Sequence, residues 1–185
     1  DLVLHDPSEE EVGSVFTVLV KDLTGYRNLI KLISLGYTKG QRLGLPTVTR
    51  ILLEKYSNGL IVLSGGMSGD LGLALISKKH ALAEKRLSWW MKTFPDSFYI
   101  ELNRIGQLGE SSYIKLAVDI AHNSDCPVVG TNDIRFLDAT DFEAHEARVC
   151  IGEGRALDDP RRIRRYTEQQ YLRSMDDMVE LFADI

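Results

Sequence analysis

Cysteine is scarce: the 185 residues hold two, Cys126 and Cys150, with neither CxxC spacing nor disulfide density. That excludes a disulfide-stapled scaffold and a thiolate metal centre, and it favours a reducing compartment, read here as cytoplasmic. Histidine is sparse too, and His5, His80, His122 and His145 show no H-x-H, H-E-x-x-H or Cys/His zinc spacing. A metal site built from these histidines alone is therefore unsupported. No apolar run reaches the ~18 residues of a membrane span, and the opening DLVLHDPSEEEV lacks the basic and apolar regions of a secretory signal. Excess positive charge is also missing. The net charge of −5 gives no general attraction to nucleic acid, so any such contact must come from a local patch. No internal repeat or low-complexity tract is present, which removes solenoids and linker-rich designs.

What is present is an ordinary globular balance, 44% hydrophobic and 26% charged residues, enough for one sizeable core. Residues 15–20 form a β-rich run, and Asp22, Thr24 and Gly25 lead into a helix with Leu29, Ile30, Leu32 and Ile33 on one face. Thr47 is expected to cap a short helix carrying Ile51 and Leu52, and Asn58-Gly59 turns the chain into a strand at 60–63. A helical region is predicted over 71–92 with a break near Ser77, and Pro95 stops it before a strand at 98–102. Tyr113, Leu116, Ala117, Ile120 and Ala121 recur at helical spacing, and Pro127 opens another strand, with Val128 and Val129 in the core. Alternation of strand and helix implies βαβ units, hence an α/β fold with parallel strands or part of a barrel. After Thr131 the order changes to a helix over 141–151, a polar loop, a Thr167/Gln170 capping box and a final helix capped by Ser174. The expected division is 1–151 and 152–185, the second part being loop and helices.

Chemistry is expected where a strand ends, and Thr131, Asn132 and Asp133 occupy such a place. One carboxylate is too few donors for a dedicated cation site, so the partners of Asp133 decide its role. The run Ser64-Gly65-Gly66-Met67-Ser68-Gly69-Asp70 can cradle an anion or simply make a tight βα turn. It lacks the Lys-Ser/Thr of a P-loop and the dinucleotide glycine spacing, so the turn is favoured. Ser64 as a nucleophile has no G-x-S-x-G context and no evident histidine partner. Arg155, Arg161, Arg162, Arg164 and Arg165 concentrate positive charge suited to phosphate or to an interface, but Asp158 and Asp159 interrupt them, favouring a solvated loop or an internal salt-bridged interface over a DNA track.

The segment VVGTNDIRFLDATDFEAHEARVCIGEGRALDDP resembles the end of a PHP (polymerase and histidinol phosphatase) domain. LTGYRNLIKLIS, LIVLSGGMSGDLG, FPDSFYIELNRIG and YTEQQYLRSMDDMVELFADI follow in an order similar to that of the α-subunit family of bacterial DNA polymerase III, of proteobacterial replicative type. The resemblance covers nearly the whole chain. It implies an incomplete PHP-type (βα) barrel, lacking its amino-terminal segment and followed by helices leading toward a polymerase palm. It also implies DNA-directed DNA polymerase activity in the parent subunit, with magnesium held in a palm that these residues do not contain.

Metal-competent PHP domains gather His, Asp and Glu around a cluster of divalent ions that activates water for phosphoester hydrolysis. The family's T-N-D-x-H element stands here as Thr131-Asn132-Asp133-Ile134-Arg135, so an imidazole is replaced by a guanidinium. Ile105 and Val15 stand where other donors are found, and Gly66 stands where some members carry Cys. The resemblance therefore implies a relic site with Asp133 as its surviving ligand and no cofactor in these residues. Asp133 and Arg135, spaced along an extended segment, are expected to pair in place of the metal. The implied role is a scaffold supporting the polymerase core and the proofreading exonuclease subunit, with DNA bound by the full-length subunit and no membrane contact. The alternative is a metal-dependent phosphoesterase that recruits Asp133 and Glu101.

Overall fold

The computed structural model describes residues 1–5, 13–42 and 45–185, with the backbone alone at residue 42. Seven strands form a sheet in the order β3-β4-β1-β2-β5-β6-β7: β1 (Leu2–Leu4), β2 (Ser14–Val20), β3 (Gln41–Arg42), β4 (Leu45–Val48), β5 (Leu60–Leu63), β6 (Phe98–Asn103) and β7 (Val128–Thr131). The helices are α1 (Leu23–Lys39), α2 (Arg50–Lys55), α3 (Asp70–Ile76), α4 (His80–Thr93), α5 (Glu110–Ser124), α6 (Phe142–Glu153) and α7 (Met175–Leu181). The α/β class and the helical carboxy-terminal part agree with the sequence reading.

Strand direction is richer than the alternation of elements indicates. The pairs β1/β4 and β5/β6 are parallel, whereas β2 runs antiparallel to both β1 and β5. The sheet is therefore mixed. Val128 is 37% exposed because β7 lies at the sheet edge, so the expected core position of this residue is corrected. Thr47 lies within β4, and the cap of α2 is Thr49, whose hydroxyl accepts from the Leu52 amide. Two residues decide this correction: Thr47 is held as strand by pairing with Val3, leaving the next threonine to meet the free amides.

The chain divides into two compact units. The first comprises residues 1–102 and 111–129, the second 103–110 and 130–185. In the first, β6 alternates buried and half-buried residues, the period-2 pattern of a strand packed on one face. The break near Ser77 separates α3 from α4, where Lys78 adopts φ 57°. Asp22 caps α1, accepting from the Gly25 amide at 2.8 Å. A Cβ on Gly25 would lie 1.8 Å from the Gly59 carbonyl oxygen, so the close approach of the α1 start to the Asn58-Gly59 turn requires glycine.

In the second unit, Phe136 and Tyr171 form an isolated parallel bridge. The expected Thr167/Gln170 capping box is half realised: the Thr167 amide donates to Gln170 Oε1 at 2.9 Å, but a turn follows instead of a helix. The cause is the bridge, since Leu172 N donates to Phe136 O and holds the next residues extended. The Ser174 box at the start of α7 forms fully.

Candidate functional site

The first unit holds the glycine-rich turn. Gly65 adopts φ 79°, and a Cβ there would lie 1.9 Å from the Val15 carbonyl oxygen; one on Gly69 would lie 1.7 Å from Ser64 O. Backbone packing therefore explains these glycines without a ligand. Ser64 is buried, and its hydroxyl accepts from the Glu101 amide at 2.9 Å. That removes it from nucleophilic use. The start of α3 carries the buried Asp70 carboxylate, which accepts from the Leu71 amide, Trp90 Nε1 and Arg50 Nη2 at 2.7–2.8 Å. A carboxylate already occupies the place an anion would take, so the turn is structural. Beside it, Glu101 Oε2 accepts from the Gly65 amide at 3.1 Å, and the Tyr113 hydroxyl donates to Glu101 O at 2.7 Å. Burial pushes the Tyr113 phenol well above its ordinary range. Burial likewise raises the Cys126 thiol to about 11, which leaves it protonated and inert near neutrality.

The second unit holds the end of β7 and the loop beyond it. Asp133 lies at φ 39°, a left-handed conformation that aspartate tolerates better than most residues. The segment is thus kinked where an extended one was expected, and across the kink Arg135 Nη2 meets Asp133 Oδ1 at 2.7 Å. Gln170 Nε2 donates to Asp133 Oδ2 at 2.8 Å, while the Arg135 amide donates to Gln170 O. The Arg135 guanidinium also stands 5.4 Å above the Tyr166 ring, which meets His145 edge-on at 4.7 Å. Asn132 Nδ2 donates to the carbonyls of Gln169 and Tyr171, and Arg173 contacts Asn132, Gln169 and Tyr171. Gln170 and Tyr166, thirty residues or more from Asp133 in sequence, complete this cluster; the T-x-x-Q signature marked Gln170 only as a capping residue.

The donor chemistry does not fit a divalent-ion cluster. Both Asp133 oxygens are engaged by cationic or amide donors, and Arg135 places positive charge beside them. Among the described residues, no group of three or more His, Cys, Asp or Glu side chains is arranged to hold a metal ion. These side chains therefore support no step through a metal.

His145 is buried against Phe136 and Tyr166, and its Nδ1 has no hydrogen-bond partner among the described residues. Burial lowers its pKa below the ordinary value, and Arg148 and Arg135 lower it further. The folded state thus keeps it neutral, while the unfolded chain protonates it near pH ~6.5. The stability it contributes is present above that value and is lost as pH falls through the lowered folded pKa. His145→Gln is expected to flatten the fall in unfolding free energy between about pH 7 and pH 5, read by urea titration at each pH.

Four of the five arginines approach a carboxylate of the same chain, and of these only Arg162 has a buried side chain. Arg161 pairs with Asp159 through Nε and Nη2 at 2.9–3.0 Å, and these bonds, with the Arg161 amide, hold the Asp159 carboxyl below its ordinary pKa. Arg155 approaches Asp159 at 3.5 Å and Arg165 approaches Glu153 at 3.8 Å. Arg162 turns inward to Glu146, each side chain 6% exposed. Arg164, exposed, is the one of the five without an ion pair among the described residues.

A PHP domain family model matches residues 4–105. The chain is 46% identical over all of its 185 residues to DNA polymerase III subunit alpha of Pseudomonas aeruginosa, of which it covers 16%. It is similarly 47% identical over 91% of its length to the protein of that name from Escherichia coli strain K12, and 45% identical over 95% to that of Vibrio cholerae, covering 15% of each. The chain thus spans about one sixth of the length of these curated relatives. Among the described residues, no helix is long and apolar enough to cross a membrane.

Proposed function

We propose, for a chain that belongs to the PHP domain family, a place within a larger enzyme: it is part of a bacterial DNA polymerase III α subunit, a DNA-directed DNA polymerase of chromosomal replication. The observation that carries this reading is the similarity to such subunits along the whole chain. Nucleotidyl transfer, the magnesium it uses and contact with DNA are assigned to parts of that polypeptide outside residues 1–185. The local role is a metal-free scaffold that supports the polymerase core and the proofreading exonuclease subunit, in the cytoplasm.

The scaffold role is supported by what the side chains at the end of β7 do. A pair about two-fifths exposed at each end is worth at most about 1 kcal/mol, so Arg135 alone does not organise the loop. Gln170, fully buried, adds a hydrogen bond of about 1 kcal/mol to the same carboxylate, and the left-handed backbone penalises alanine by roughly another. Asp133→Ala is therefore expected to destabilise by about 2 kcal/mol, and Asp133→Asn by less than about 1, measured by urea unfolding. In the full-length polypeptide, Asp133→Asn should leave primer extension unchanged. Stoichiometric Mn or Zn in that polypeptide, with phosphoesterase activity abolished by Asp133→Ala, would overturn the scaffold reading in favour of a hydrolase.

A further inference from the structure

Helix α1 presents an apolar stripe to solvent that nothing in the described residues covers. Leu23, Tyr26, Ile30, Ile33 and Tyr37 are each between 38% and 63% exposed. Their spacings alternate between three and four residues, and at ~100° per residue they fall within about 80° of one another. Gly25, Leu32 and Gly36, centred about 120° further round, are the buried residues of the helix, so the fold of the first unit is satisfied without the stripe. A chance exposed leucine needs no explanation, but five in one line over a 17-residue helix form a seam for another helix. Arg27 borders the seam about 40° beyond Leu23 and Lys31 follows about 80° beyond it on the same side, and between Leu23 and Lys39 every charged residue is basic although the chain as a whole is acidic.

We propose that this seam receives an amphipathic helix with an acidic flank, supplied by the same polypeptide from outside residues 1–185. Charge complementarity sets the acidic flank, because a basic border beside a desolvated seam favours carboxylates and penalises like charge. The source follows from length: the chain covers only 16% of its relatives, so most of such a polypeptide is available to fold over α1 at high effective concentration. The inference rests on the reading that this chain is a portion of a longer polypeptide.

The test uses the full-length polypeptide, purified without other proteins. Alkylation of Ile30→Cys and Tyr37→Cys, read by peptide mass spectrometry, should be slower than that of Lys31→Cys by about tenfold or more at every protein concentration. Carbodiimide coupling of the unaltered polypeptide should join Lys31 to Asp or Glu residues of the same molecule outside residues 1–185. Equal alkylation rates, or Lys31 without such a link, overturn the proposal. So does protection that grows with protein concentration, which indicates a second copy, or that arises only after the exonuclease subunit is added. Because coupling is read on the unaltered protein, misfolding of a cysteine variant does not obscure the answer. Protection in a preparation unable to extend a primer would count against the polymerase reading and leave the seam assignment standing.

Discussion

Trp90→Ala is expected to lower the unfolding free energy by about 3–5 kcal/mol. Trp90 is 1% exposed and lies within 5.3–5.8 Å, ring centroid to centroid, of Phe16, Phe94 and Phe98, stacking on the last with planes 9° apart. It thereby joins β2, α4 and β6, and no single neighbour can relax into the volume that it vacates. The indole has a second task. Its Nε1 donates to Asp70 Oδ1 at 2.8 Å, and Asp70 is buried, with Arg50 at 2.8 Å and the Arg86 guanidinium on its main-chain oxygen. Trp90→Phe separates the two roles: it keeps most of the packing and deletes the donor, so its cost should be about 1–3 kcal/mol. The check is urea unfolding followed by far-ultraviolet circular dichroism, since fluorescence would change with the residue itself. A cost for Trp90→Ala below that of Trp90→Phe would refute the packing account.

Arg162→Ala is the second large effect, about 3–5 kcal/mol, and its origin is electrostatic. Arg162 and Glu146 meet with side chains each 6% exposed, so truncating one leaves the other's charge buried and uncompensated. The pair itself need not stabilise the fold. Glu146 Oε1 is buried without a hydrogen-bond partner among the described residues, so part of the desolvation cost is not offset. Consequently Glu146→Leu combined with Arg162→Met should recover most of the loss, to within about 1 kcal/mol of the native protein. A double-mutant cycle reads this directly. Additive losses in the double variant would show that the two charges do not depend on each other. Arg162 was among the arginines suited by sequence to phosphate or an interface; its position in the second unit directs it inward to Glu146.

Much of the local structure was legible before any coordinates. Asp22 at the start of α1, Ser174 at the start of α7, the break near Ser77 and the Asn58-Gly59 turn all depend on neighbours a few residues away, where backbone geometry follows from residue type. That Ile105 and Arg135 offer no donor to a cation was equally visible, because a hydrocarbon or a guanidinium cannot ligate one in any fold. The pairing of Asp133 with Arg135 was local too, although the left-handed kink that brings them together was not, since period-2 geometry described only an extended segment.

The sequence alone therefore determined the α/β class and the family resemblance, both of which rest on side-chain chemistry and short-range periodicity. Tertiary structure decided the antiparallel direction of β2, the engagement of Asp133 by Gln170, the burial of Arg162 against Glu146 and the exposure of the α1 stripe. Each of these depends on which distant segments meet. The sequence placed Leu29, Ile30, Leu32 and Ile33 on one face of α1, but only the packed chain shows that Leu32 is buried while Ile30 and Ile33 face solvent.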